Sequence, residues 1–389
     1  MKTYRPEEIK QAQEDIGKYF EEAMKYGGLK RVLEIWHQRQ NEWKSQKVNI
    51  AIIGQTGTGK SSFINAVFKK WTNKPGPANT GVTETTMKVV GYEHPNNPNI
   101  VLFDLPGVGT ENFPRDNYLK EVDAEVYDVF IIMTATRFTE VDAWLGGELQ
   151  KRKKAVVFVR TKIGIDVDNN KHDNPDMDEE SVLSAVKEST IEECRKLEQR
   201  VEVFLIDNHC AEKYEFEDLE NHIVKKLTDL KGEALVFSIS NITKETLRQK
   251  IKELESRITR TAATGALLGT FPGAGIISDQ WVVKDMAQHY KVQLGLEVES
   301  LEKRSIDREK VGKIKQKVNE VMADIPNLVR GCDVDSSYSS LAQNTALLAC
   351  KAVPVFNTFI SASTVSTSLH LILDKFAAIA VEAIDECDY

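Results

Sequence analysis

Gly54-Gln55-Thr56-Gly57-Thr58-Gly59-Lys60-Ser61 is the stretch on which the fold turns. It lies between an apolar run, Val48 to Ile53, and a helix-like stretch, Ser62 to Lys69. Strand, glycine-rich loop closing on Gly-Lys-Ser, then helix is the order that a phosphate-binding loop requires. Glycines let the backbone N–H groups approach a β-phosphate closely, the lysine bridges β- and γ-oxygens, and the serine hydroxyl ligates Mg²⁺. Gly54, Gly57, Thr58, Gly59, Lys60, Ser61 and Ser62 are accordingly assigned to a nucleoside triphosphate, with Ser61 also on the metal.

An acidic residue that orients the metal belongs at the end of another strand, with a backbone N–H beside it for the γ-phosphate. Asp104-Leu105-Pro106-Gly107, after the apolar run Ile100 to Phe103, supplies both, with Asp104 for the metal and Gly107 for the phosphate. Between the two motifs lies Thr80-Gly81-Val82-Thr83-Glu84-Thr85-Thr86. A switch segment there donates a hydroxyl to the metal and closes over the γ-phosphate, and several of its threonines could do so.

Strand-like runs at Val48 to Ile53, Met87 to Tyr92, Ile100 to Phe103, Val129 to Met133, Ala155 to Val159 and Val201 to Ile206 alternate with helical stretches. Short, nearly continuous apolar runs suit strands covered on both faces, so the expected fold is a doubly wound α/β sheet. On either side the period changes. Pro6 to Lys47 carries helical spacing with a break at Gly27-Gly28, and Leu247, Ile251, Leu254 and Ile258 open a long helical region after about Gly232. Residues 1–47 are therefore read as helices packing on a C-terminal helical domain, 233–389, with 48–232 as the nucleotide domain. The 389 residues fit two such units.

A net charge of −8 argues against a nucleic-acid partner. Five scattered cysteines show neither disulfide nor zinc spacing, which points to a reducing, cytoplasmic location. The first residues do not read as a signal peptide, and position 2 is Lys rather than the Gly needed for myristoylation. Two uncharged stretches, Thr261 to Ser278 and Ala352 to Leu373, approach spanning length. The first is broken around Pro272 and the second is rich in Ser and Thr, so both are read as buried helices, the first as a hairpin turning at Pro272.

Base recognition is expected in the loop after Ala155 to Val159, where Arg160-Thr161-Lys162 stands. The guanine signature continues Lys, any residue, Asp, but the Asp position is Gly164. Its carboxylate normally takes two hydrogen bonds from the guanine edge, worth about 2 to 4 kcal/mol, or roughly 30- to 1,000-fold in affinity. Asp166 is the nearest substitute along the chain.

Together these residues resemble the immunity-related GTPases, the interferon-inducible, dynamin-like family of vertebrate cells. The resemblance runs through the phosphate loop with Ser62-Phe63-Ile64-Asn65, Thr80-Gly81-Val82 with Glu84, Asp104-Leu105-Pro106-Gly107-Val108-Gly109, Asn112-Phe113-Pro114, Tyr127-Asp128, Thr134-Ala135-Thr136-Arg137-Phe138, Val159-Arg160-Thr161-Lys162 and Tyr214-Glu215-Phe216. It implies a P-loop GTPase sheet domain flanked by an all-α domain built from N- and C-terminal segments. It also implies GTP as substrate with Mg²⁺, nucleotide-dependent self-assembly through the nucleotide faces, possible contact with related GTPases, and peripheral action at internal or pathogen-vacuole membranes. Lys60 resembles the effector branch, where the regulatory branch has Met. By motif position, Thr80, Gly81, Glu84 and Thr86 fall to the switch, Thr86 to the metal, Thr161 and Lys162 to the base, and Asp207-Asn208 to the last base-contacting loop. Two departures stand out: Gly164 for the specificity Asp, and Asp207 where the family usually has Ser.

The position after Asp-x-x-Gly holds a water-orienting Gln in many small GTPases, and here it is Val108, which cannot hydrogen-bond. Catalysis is therefore assigned to Lys60, Gly107 and Glu84, with a partner subunit completing the site. The competing classes are a nucleotide-dependent scaffold or pseudo-GTPase, which Gly164 favours and intact Lys60, Ser61 and Asp104 oppose, and a relaxed or adenine-specific triphosphatase. Asp166 to Glu180 begins like a calcium loop, but Lys171 and Met177 stand where Gly and Glu are required, so it reads as a solvated insertion. Lys151-Arg152-Lys153-Lys154 reads as a helix end. Lys303 to Lys317 reads as a solvated helix face.

Overall fold

The structure is a computed structural model that describes residues 25–27, 30–31, 34–38, 40–72, 75–79, 88–109, 113–173, 177–196, 202–211, 213–239, 244–269, 275–302, 306–332 and 354–386. The chain divides into two compact units, Asn41–Ser240 and a second that joins Met1–Gln40 to Asn241–Tyr389.

Six strands form the sheet of the first unit: β1 (Val48–Gly54), β2 (Val90–His94), β3 (Asn97–Asp104), β4 (Val129–Thr134), β5 (Ala155–Arg160) and β6 (Val203–Leu205). Their spatial order is β2-β3-β1-β4-β5-β6. All neighbours run parallel except β2, which pairs antiparallel with β3 at the edge. Every residue of β4 is buried, as a central strand covered on both faces must be, whereas edge strand β2 is mostly exposed. Each strand expected from the apolar runs is present within a few residues of its reading. The chain leaves β1 for β3 on one side and then returns to the other side of β1 for β4. Ligands of such sheets bind at the carboxyl ends of the strands where the winding reverses.

The phosphate loop enters α1 (Lys60–Thr72). Helix α2 (Glu140–Lys151) starts in a capping box: Thr139 Oγ1 accepts from Asp142 N at 3.3 Å, and Asp142 Oδ2 accepts from Thr139 N at 2.9 Å. Burial raises the Asp142 carboxyl pKa, and the hydrogen bonds it accepts from Thr139 N and Thr139 Oγ1 oppose the rise. The chain leaves α2 through Lys153 at φ 59°, where Lys153 and Lys154 donate backbone hydrogen bonds to Gln150 and Leu149, so the basic run does end a helix.

The stretch from Asp166 does not stand off as an insertion. Its first part, residues 166–173, belongs to α3 (Ile163–Asp173), whose Ile163 and Val167, four residues apart, are both buried. Two inward residues in a polar segment are enough to dock a helix, and its Asp and Asn content hides them from a composition reading. After α4 (Glu179–Lys196) and β6 come α5 (Phe216–Lys226) and α6 (Asp229–Ser238). The sequence put the unit boundaries at 47/48 and 232/233; the structural units extend further because both flanks pack on this sheet unit. Trp43 of the turn Glu42–Ser45 meets Phe237 edge-on at 5.2 Å, and Lys231 pairs with Asp128 at 2.6 Å.

In the second unit, α7 (Lys244–Gly269), α8 (Gly275–Gln293), α9 (Arg308–Cys332) and α10 (Pro354–Asp385) pack on one another. The stripe Leu247, Leu254 and Ile258 is buried, as is Leu369, Ile372, Leu373 and Phe376 of α10. Buried Arg257 donates to Gln40 O at 2.8 Å and meets His289 Nε2 at 2.8 Å, so its charge is met by oriented polar groups. Residues 270–274, which contain the turn read at Pro272, lie outside the described residues. No helix among the described residues is long and apolar enough to cross a membrane. On α9, Lys313 pairs with Glu309 at 2.8 Å and Lys317 with Glu382 at 2.6 Å, the solvated face expected of the basic stretch.

The capping box predicts a local stability cost. Thr139→Ala should lower unfolding free energy by about 1 to 2 kcal/mol, read from denaturant midpoints, whereas Thr139→Ser should be nearly neutral.

Candidate nucleotide-binding site

Residues 54–61 run from the carboxyl end of β1 into the first turn of α1. Gly59 takes φ +89°, which favours glycine, and a Cβ on it would come within 2.9 Å of Asn208 Nδ2 and push that amide aside. Lys60 Nζ donates to the carbonyl of Gly54 at 2.8 Å and to that of Gln55 at 3.4 Å, which folds the ammonium across the mouth of the loop. Ser61 Oγ donates to Asp104 Oδ2 at 3.1 Å. A hydroxyl and a carboxylate 43 residues apart in sequence thus converge beside the phosphate loop, with Asp104 almost fully buried. Hard oxygen donors in this number suit Mg²⁺, which keeps most of its water and takes only one or two protein ligands.

Asp104 closes β3, and Leu105 N donates to Ile52 O at 3.0 Å, fixing the start of the Asp-x-x-Gly turn against β1. Tyr118 Oη donates to Pro106 O at 2.7 Å from within the core. Burial, with smaller contributions from Tyr127 and Asp104, drives the Tyr118 phenol well above its ordinary pKa, so it acts as a fixed donor. Val108, at the position of the water-orienting Gln, packs against the core cluster.

Two loops from the other side of the sheet reach the phosphate loop. Thr161 is fully buried, and its hydroxyl lies 2.7 Å from Thr58 O and 3.2 Å from Thr134 O. Asn208 Nδ2 donates to Gly59 O at 3.0 Å. Between them Lys162 is exposed at φ 60°, a left-handed conformation uncommon for a residue with a side chain, and Gly164 N donates to Asp207 Oδ2 at 3.2 Å. Asp166 lies on α3 with its carboxylate on Arg160 Nη2 at 2.7 Å.

Ser62 lies in the first turn of α1 and Gly107 follows β3. Thr80, Gly81, Glu84 and Thr86 lie outside the described residues. The sequence reading gave no role to Asn65. Its amide brackets Ala78, accepting from Ala78 N at 2.8 Å and donating to Ala78 O at 2.8 Å. Asn65 thereby holds the chain two residues before the switch segment begins. Its place inside the Ser-Phe-Ile-Asn string was the only signal. Glu215, quoted for the resemblance alone, closes the 206–214 loop by accepting from Leu205 N at 2.8 Å while its own N donates to Leu205 O at 3.0 Å.

A doubly wound sheet with a Gly-Lys-Ser loop at its winding reversal, and a serine and aspartate meeting beside that loop, defines a P-loop nucleotide-binding protein. Within that class the chain matches the Interferon-inducible GTPase (IIGP) family over residues 13–385, and it belongs to that family. It is 35% identical over 279 residues to T-cell-specific guanine nucleotide triphosphate-binding protein 2 of Mus musculus, covering 70% of this chain and 67% of the relative. Interferon-inducible GTPase 1 of Mus musculus is 32% identical over 300 residues, covering 76% and 73%. Interferon-inducible GTPase 5 of Rattus norvegicus is 29% identical over 360 residues, covering 88% and 77%. By family, the chain is a GTPase.

The buried Thr161 hydroxyl gives a test of how the two halves of the site are joined. Thr161→Val keeps the shape but leaves a buried carbonyl without its donor. It should destabilise the fold by about 1 to 3 kcal/mol in urea unfolding.

Proposed function

We propose that this protein binds GTP with Mg²⁺, hydrolyses it to GDP, and does so faster when assembled with further copies of itself through the nucleotide domain. The observation that carries the reading is the approach of Ser61 Oγ to Asp104 Oδ2 next to Lys60. Gly57, Thr58, Gly59, Lys60, Ser61 and Ser62 would take the phosphates, and Ser61, Asp104 and a switch threonine, Thr86, would hold the metal. Mg²⁺ bound there would neutralise charge on the β- and γ-oxygens. Lys60, freed from the Gly54 carbonyl, would supply a further positive charge, and the Gly107 amide a hydrogen bond to the γ-phosphate. Lys162 would lie against the base, with Thr161 and Asn208 fixing the loops around it.

The packed Val108 supports dependence on another group for orienting water, since an isopropyl side chain can neither donate nor accept. Glu84, with Thr80 and Gly81 beside it, is the acidic residue of the switch and is assigned this role, completed by a partner copy. The names of the relatives support a place in interferon-induced immunity. Peripheral action at internal membranes extends that reading, and the paired lysines of α9 give it no direct support.

Purified protein should retain GTP in the presence of Mg²⁺, and Lys60→Ala should weaken retention by about 10- to 150-fold, the loss of one charge-assisted contact. Equal retention by this variant would remove the phosphate-loop assignment. Turnover per subunit should rise with protein concentration, and Glu84→Ala should abolish that rise while leaving GTP affinity within a few-fold. Turnover flat in concentration, or an active Glu84→Ala, would retire the assembly model or the role of Glu84 respectively.

A further inference from the structure

The chain lacks a carboxylate at position 164, yet one carboxylate oxygen of another residue, Asp207, lies against that position. A Cβ built on Gly164 would lie 2.5 Å from Asp207 Oδ2. Standard bond lengths put an aspartate's own carboxylate oxygen at roughly 2.4 Å from its Cβ. Asp207 Oδ2 therefore lies at the distance from the missing Cβ that the carboxylate oxygen of an aspartate at position 164 would keep, but it arrives from a loop 43 residues later. We propose that Asp207 is the base-specificity residue of this site, reading the N1–H and N2–H edge of guanine in place of residue 164. This inference rests on the GTP-binding reading above and names the group that makes it selective.

The geometry around Asp207 is built for that use. Gly164 N donates to Oδ2 at 3.2 Å and His209 N donates to Oδ1 at 2.8 Å, so both carboxylate oxygens are oriented by backbone. An ionised carboxylate has about four acceptor positions, and two backbone donors leave two for a base with two adjacent N–H groups. The next residue, Asn208, is tied to Gly59 O at 3.0 Å, which fixes Asp207 relative to the phosphate loop. The loop is closed behind by Glu215 on both backbone groups of Leu205. Asp166 is not free in the same way, because its carboxylate is paired at 2.7 Å with Arg160, the last residue of β5.

Gly164 and Asp207 are consequently a coupled pair. A Cβ at 164 would displace the Asp207 carboxylate oxygen from where it now lies, so the glycine leaves room for the relocated acid. The two departures from the family pattern are then one exchange, with the carboxylate moved from the first base loop to the last.

Competition of GTP, XTP, ITP and ATP against a labelled GTP analogue on the full chain with Mg²⁺ tests the proposal. Asp207→Asn replaces one acceptor by a donor, which suits the N1–H and O2 edge of xanthine. The GTP:XTP affinity ratio should fall by roughly 10-fold or more, with XTP binding gained. Gly164→Ala, which pushes the carboxylate aside, should lower the GTP:ITP ratio in the same direction. The exchange variant Gly164→Asp/Asp207→Ser should restore the GTP:XTP ratio to within a few-fold of the unsubstituted protein, whereas Gly164→Asp alone should not reach it. Should Asp207→Asn fail to fold, Asp207→Ser decides, since selectivity lost in that variant and regained when Gly164→Asp is added requires that the two positions serve one contact, whereas selectivity kept in Asp207→Ser overturns the assignment. An unchanged GTP:XTP ratio in Asp207→Asn with triphosphate still retained, or a ratio that moves only in Asp166→Asn, overturns the assignment. An unsubstituted protein that retains no triphosphate of any base overturns the GTP-binding reading itself, a result separable from a protein that binds all four bases alike.

Discussion

Two carbonyl groups of the phosphate loop organise the nucleotide domain. Thr58 O receives the buried Thr161 hydroxyl, and Gly59 O receives the Asn208 amide. A loop that is to present its N–H groups to phosphate must direct carbonyls elsewhere, and buried carbonyls without donors are costly. Here the donors come from the two loops that would hold the base. The proposed phosphate and base sites are therefore joined by hydrogen bonds that satisfy the backbone, so neither loop can shift without exposing an orphaned acceptor.

The sheet sets the distances over which that joining works. β4 lies between β1 and β5, and Thr134 at its end sits under Thr161, which approaches Thr134 O as well as Thr58 O. On the other flank, β3 pairs with β1 in a register that puts Asp104 against Ile52, two residues before the loop begins. A slip of one residue would turn Asp104 to the opposite face of the sheet and separate it from Ser61. The aspartate reaches the serine because parallel pairing and the buried apolar faces of β1 and β3 fix that register.

Much of this was legible in the chain. Continuous apolar runs announce buried strands, and the Gly-Lys-Ser and Asp-x-x-Gly strings mark the loops that extend two of them. What escaped the reading are contacts between residues distant in sequence. Asp166 was the natural substitute for a missing acid because it is two positions from Gly164, but the helix that holds it turns its carboxylate to Arg160. Asp207 approaches Gly164 across the sheet end, and no spacing rule reports that. Helix α3 was missed for another reason: with only Ile163 and Val167 buried in its first turns, polar composition outweighs period. Asn65 escaped because a side-chain clamp on a backbone, both ends at 2.8 Å, leaves no pattern beyond the asparagine itself.

The backbone records where this unit departs from relaxed geometry. Four non-glycine residues among those described have positive φ: Asp123, Lys153, Lys162 and Tyr214. Lys153 terminates a helix, where such a conformation is common. Lys162 and Tyr214 instead bracket the two loops proposed to hold the base. A left-handed non-glycine residue costs of order 1 to 3 kcal/mol and persists only where its surroundings over-determine it. Around Lys162 the constraint is Thr161, whose backbone N donates to Thr134 O at 2.8 Å while its side chain reaches Thr58. Around Tyr214 it is Glu215, fixed to Leu205 through backbone and carboxylate and paired with Lys187. The strain holds Lys162 outward in solvent and turns the 206–214 loop back toward Gly164. The proposed base site, assembled from two loops, needs both turns at once, and the hydrogen bonds that enforce them are the ones that bring an Asp207 oxygen against Gly164.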